Sequence, residues 1–111
     1  MSDDQAKRVG LNESIFREVN EQIGSLNRDF GGELPRMTII CECASGDCTE
    51  RFEVPVSEYE KARTDPRRFL VVPGHELPEY ESVVERRDGY DVVRKRDGAP
   101  AALAEETDPR S

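Results

Sequence analysis

All three cysteines of the chain fall within eight residues, Cys41-Glu42-Cys43-Ala44-Ser45-Gly46-Asp47-Cys48, and its single histidine, His75, follows a Pro73-Gly74 turn. Three thiols and one imidazole make a complete Cys₃His zinc ligand set. Sulfurs that share one zinc stand about 3.7–3.8 Å apart. On a regular strand the Cβ atoms of residues i and i+2 stand roughly 6.5–7 Å apart. Cys41 and Cys43 can therefore share an ion only if the strand bends or ends by Cys43. Ala44 to Asp47 are turn formers, with Gly46 suited to positive φ and Asp47 to a side-chain turn bond. The loop can carry Cys48 back beside Cys43 as a knuckle. The spacing C-x-C-x₄-C differs from the common C-x₂-C, so other states stay open. The cysteines can be small buried hydrophobes, Cys43 and Cys48 can form a disulfide in an oxidising compartment, and the same ligands can hold an iron–sulfur centre. His75 can be a plain surface-turn residue.

Composition sets the frame around this segment. The chain has 111 residues, 35% hydrophobic and 36% charged, without tryptophan, so one domain with a thin core is expected, which a structural metal would help to hold. Residues 1–5 show no basic segment or apolar run of a signal peptide. No apolar stretch approaches the roughly 20 residues that cross a bilayer. A cytoplasmic location is expected, where clustered cysteines more often bind metal than pair. The net charge of −8, from 24 acids and 16 bases, argues against duplex nucleic acid as partner.

Taken in order, residues 1–10 read as a flexible N-terminus, 11–97 as a single domain and 98–111 as an acidic, disordered tail. A helix is expected over Asn12–Phe30, with Asn12 as N-cap and Gly31-Gly32 as the stop. Ile15, Val19, Ile23, Leu26 and Phe30 form one face at helical period, read as core-facing, with Arg17, Glu18, Glu21 and Arg28 in solvent. Part of that stripe can instead serve homodimerisation through the N-terminal helix. Met37–Glu42 and Thr49–Val56 read as paired strands flanking the knuckle. Ser57 and Glu60 fit a capping box opening a short helix to Arg63. Arg68–Val72 reads as a buried strand delivering His75 to the cysteines. Val83–Arg94 reads as a hairpin with a type I′ turn at Asp88-Gly89, in competition with a helix over Leu77–Val84. The expected fold class is α+β, an N-terminal helix packed on a small antiparallel sheet with a metal-binding knuckle.

At the level of motifs the chain resembles a group of small bacterial proteins of high-GC Gram-positive type. These share CEC-x₄-C, here Cys41-Glu42-Cys43 and Cys48, then Glu50-Arg51, Tyr59-Glu60, Phe69-Leu70-Val71 with Pro73-Gly74-His75, and a closing hairpin from Val83 to Tyr90. The resemblance spans roughly residues 11–95 and implies one module, with no activity attached.

The remaining motifs are few. Asp47, Glu50, Glu53 and Glu76 lie near the knuckle in sequence, but none is placed as a general acid or base. Cys₃His is a closed structural set without the open position of catalytic zinc. Arg86, Arg87, Arg94, Lys95 and Arg96 can gather as a basic patch or pair with acids across the hairpin. The expected function is a non-enzymatic zinc-stapled interaction or regulatory module, with Cys41, Cys43, Cys48 and His75 as Zn²⁺ ligands and a protein as partner. A zinc–thiolate redox switch is the alternative, and a nucleic-acid-binding module a third reading.

Overall fold

Alternating β-branched residues, two turn-forming glycines and a long N-terminal helix build two small antiparallel sheets beside helices. The computed structural model describes residues 3–29, 35–45 and 47–110. The elements are α1 (Asp3–Asp29), β1 (Arg36–Ile40), β2 (Arg51–Pro55), α2 (Val56–Arg63), β3 (Arg68–Val71), β4 (Glu81–Arg87), β5 (Tyr90–Lys95) and α3 (Ala99–Glu106). β1 pairs with β2, from Arg36 opposite Pro55 to Ile40 opposite Arg51. The second sheet has the order β3-β5-β4. A backbone bond from Glu42 N–H to the Leu70 carbonyl (2.9 Å) stitches the chain leaving β1 to β3. The α+β reading holds, with two sheets in place of one.

Local turn chemistry explains much of this layout. Only Gly89 of the hairpin turn has positive φ (88°), and no non-glycine residue does among the described residues, so the turn is not type I′. Asp88 keeps an ordinary φ because its Cβ penalises the left-handed region. A register shift between Val83 and Glu85 leaves Val84 exposed at a bulge. The competing helix over Leu77–Val84 is absent, since β4 occupies its second half. The capping box is not formed either. Val56 N–H bonds the Pro35 carbonyl (2.9 Å), so the helix starts directly from β2 with Pro55 as N-cap and no side-chain cap.

The termini differ from expectation. Helix α1 begins at Asp3 rather than Asn12, and residues 99–106 are helical rather than part of a disordered tail. Small residues make the difference. Pro100, Ala101 and Ala104 are buried where α3 meets α1. At Gly10 an added Cβ would stand 2.7 Å from Leu103 Cδ1, so the glycine permits the two helices to close. The expected helix stop at Gly31-Gly32, and Phe30 before it, lie outside the described residues.

The largest correction concerns which face of α1 is buried. Ile15, Leu26 and Val19 are 60, 57 and 42% exposed, although Ile23 packs partly against the core. The buried positions are Val9, Gly10, Glu13, Arg17, Asn20, Glu21 and Gly24, so Arg17 and Glu21, expected in solvent, both lie inside. These recur with the same helical spacing as the expected stripe, on another side of the helix. Each polar member has partners waiting. Arg17 lies over the Phe69 ring (4.9 Å) and donates to the carbonyls of Pro66 (2.7 Å) and Ala104 (2.8 Å). Asn20 accepts from Ile40 N–H (2.9 Å) and donates to the Ile40 carbonyl (2.9 Å), acting as a strand neighbour for the outer edge of β1. Glu13 meets Lys95, which also binds Glu81, and all three side chains are out of water. Apolar packing is left to the sheets and α2, around Ile39, Val54, Tyr59, Leu70 and Val92.

Truncating the polar face should therefore cost more than truncating the apolar one. Arg17→Ala removes the donor to one buried carbonyl, Ala104, and one half-buried carbonyl, Pro66, and should lose at least about 2 kcal/mol, lowering the melting temperature by roughly 8–16 °C. Leu26→Ala should stay within about 0.5 kcal/mol. Thermal melts of both variants decide, and the reverse ranking would restore the core-facing stripe. Burial pushes the Glu13 carboxyl up from 4.5 to about 8, against the pull of Lys95. The folded state then binds more protons than the unfolded one between these values, so this group's contribution falls as pH rises from 4.5 to 8. Denaturant titrations across that range should show this fall in the parent and a flatter profile in Glu13→Gln.

Candidate metal centre

The ligand positions follow from where strands end and turns begin. β1 stops at Ile40, so the cysteine segment is freed from regular strand spacing. Cys41 N–H still bonds the Glu50 carbonyl (2.9 Å) beyond β2, whereas Glu42 N–H turns to Leu70 on β3. This change of partner between adjacent residues is the bend that the C-x-C spacing demands. Cys48 N–H bonds the Ser45 carbonyl (3.2 Å), closing the turn that returns the third cysteine. On the other segment, Val72-Pro73-Gly74-His75 is a β-turn with His75 N–H on the Val72 carbonyl (2.9 Å) and Gly74 at φ 91°. Proline second and a positive-φ glycine third is the type II pattern.

Cys41, Cys43, Cys48 and His75 accordingly come together, with one ligand atom from each all within 4.8 Å of one another. His75 Nδ1 lies 3.6 Å from Cys41 Sγ and 3.7 Å from Cys48 Sγ. A tetrahedral ion with sulfur near 2.3 Å and nitrogen near 2.0–2.1 Å has nitrogen–sulfur edges of about 3.5–3.6 Å. The two observed edges therefore fit a single ion, and the four residues could hold one. Cys41 and Cys43 are buried, Cys48 and His75 half-buried.

Surrounding groups are arranged for a negatively charged cage. Val72 N–H donates to Cys41 Sγ (3.2 Å). The backbones of Ser45 and Glu50 hydrogen-bond Cys43 and Cys48, each two residues past its cysteine. The Cys43 thiol is lowered to about 5 by the hydrogen bond from Cys41, helped by Ser45. Cys41 is raised in exchange, by that same bond and by burial, and Cys48 is raised by burial. Three thiols so close cannot all ionise without a cation among them, which is the condition that a bound dication meets.

His75 is held from behind. Its Nε2 lies 2.9 Å from Glu50 Oε2, leaving Nδ1 toward the sulfurs. A ring that donates from Nε2 to a carboxylate presents a neutral Nδ1, the arrangement typical of ligating histidine. Sequence reasoning named Glu50 as one of four nearby acids and within the Glu50-Arg51 motif, but missed both its contact with His75 and the Val72 amide. A further signal was that Glu50 follows the last cysteine by two residues, where β2 begins to run back past the site.

Neither protein families, curated proteins nor solved structures offer a match to this chain.

Because Glu50 fixes the ring, Glu50→Gln should weaken metal binding about 10–100-fold while leaving one ion per chain. Competition against a chromogenic chelator measures this, with cobalt(II) or zinc as probe. Parent-like affinity would mean that Glu50 does not orient the ring.

Proposed function

We propose that the chain is a non-enzymatic interaction or regulatory module whose fold is stapled by one structural Zn²⁺. The observation that carries this reading is the convergence of three thiols and one imidazole at single-ion distances. Four protein ligands fill a tetrahedral shell, leaving no open position for substrate or activated water. A mononuclear fit also favours zinc over a multi-iron cluster, which needs its ligands further apart. A reducing, cytoplasmic setting would keep the three cysteines free, as they stand here. The motifs shared with the small bacterial group fit a common module of this kind.

The competing readings have less support. A redox switch needs accessible thiols, yet Cys41 and Cys43 are buried. A nucleic-acid surface needs unpaired bases. On the last hairpin Arg86 bonds Asp91 (3.2 Å), Arg94 bonds Asp65 (2.7 Å), Arg87 lies 3.4 Å from Glu58, and Lys95 is buried between two glutamates. These pairings take up four of the five bases of the expected patch, all but Arg96, which weighs against nucleic acid as the partner.

The staple joins segments distant in sequence, so metal affinity is folding free energy. Purified protein should hold about one equivalent of zinc, and Cys48→Ser much less. His75→Ala should melt several degrees lower, at roughly 4–8 °C per kcal/mol, and a chelator should lower the parent further than this variant. Metal-free parent protein, or a His75→Ala variant with full zinc and a parent-like melt, would refute the staple.

A further inference from the structure

Helix α1 shows water an apolar line that the fold does not use. Leu11 and Ile15 are 52 and 60% exposed, with Val19 beside them. At 100° per residue this line lies on the opposite pole from the buried Glu13–Arg17–Asn20 face. Apolar ground continues sideways onto α3, where Leu11, Ala102 and Leu103 line a groove of about 280 Å³ rimmed by Lys7 and Glu106. In a chain with 36% charged residues, a contiguous apolar surface across two helices marks an interaction site.

The charges around the line are sorted by end. Lys7 and Arg8 precede Leu11, and Glu18 follows Ile15. Among the described residues, Lys7 and Arg8 form no salt bridge, and Glu18 accepts only the neutral Gln22 amide (3.1 Å). We propose that this face is a homodimer interface, with two copies of the chain packed antiparallel across Leu11 and Ile15. In a two-fold antiparallel pair, residues equidistant from position 13 come opposite each other. The register that sets Leu11 against Ile15 therefore also sets Arg8 against Glu18, with Lys7 alongside. Asp4, one of two acids at the basic end with Asp3, falls opposite the neutral Gln22. One patch supplies an apolar centre and both signs of its own rim, which is the self-complementarity an isologous contact requires. A second copy is the occupant that this symmetry selects.

The inference does not depend on the zinc staple, and metal content measured in every sample keeps the two apart. Sedimentation velocity on the full, metal-loaded chain from about 5 to 500 μM should show a concentration-dependent dimer. Ile15→Asp should raise its dissociation constant at least about tenfold, with zinc content unchanged. The double variant Lys7→Glu/Arg8→Glu should also weaken the dimer, and adding Glu18→Lys should restore it. A parent that stays monomeric throughout, an Ile15→Asp dimer as tight as the parent's, or a charge reversal that Glu18→Lys fails to rescue would each overturn the proposal.

Discussion

Glu42, the middle residue of the cysteine pair, is the point on which the structure turns. Fully buried, it accepts from Asn20 Nδ2 (2.7 Å) on α1, Arg63 Nη2 (2.7 Å) on α2 and Leu70 N–H (3.0 Å) on β3. A lone buried carboxylate would be costly, and three donors from three elements are what make it tolerable. The cysteine segment can take only one position relative to both helices and to β3. Cys41 and Cys43 then face the opposite way, toward His75, so the same peptide is anchored behind by charge and presents the Cys₃His cluster in front.

This arrangement explains why a chain with so thin an apolar core folds with a polar helix face inward. Arg63 stacks over Tyr59 (5.2 Å) while pairing with Glu42, and Arg17 stacks over a second buried ring, Phe69 (4.9 Å). Buried ionic groups of this kind contribute less to net stability than to selecting one arrangement over alternatives, because each misplacement strands a charge. A metal cage that needs four atoms at correct separations benefits from such a frame.

The legible parts of the fold were those fixed by local chemistry. Pro73-Gly74 announced the turn that delivers His75, Asp88-Gly89 announced the last hairpin, and alternating Phe52 and Val54 announced β2. The clustering of Cys41, Cys43, Cys48 and His75 was legible because so few residues could belong to such a group. The burial face of α1 was not, because its apolar stripe at perfect helical period faces water, and Glu13 and Asn20 reveal their partners, Lys95 and Glu42, only in three dimensions. Helix α3 was hidden by its alanines, which carry little hydrophobic signal yet permit the close approach over Gly10. Glu50 was visible as an acid but not as the group that holds the imidazole, since that depends on β2 running back past the turn at His75.

The central claim is that three sulfurs and one nitrogen surround a single zinc ion. X-ray absorption at the zinc edge of the purified, metal-loaded chain tests it most directly. The account predicts three sulfur neighbours near 2.3 Å and one nitrogen near 2.0–2.1 Å, about the values of a closed Cys₃His site. A shell of oxygen and nitrogen alone, or one with fewer than three sulfurs, would contradict it.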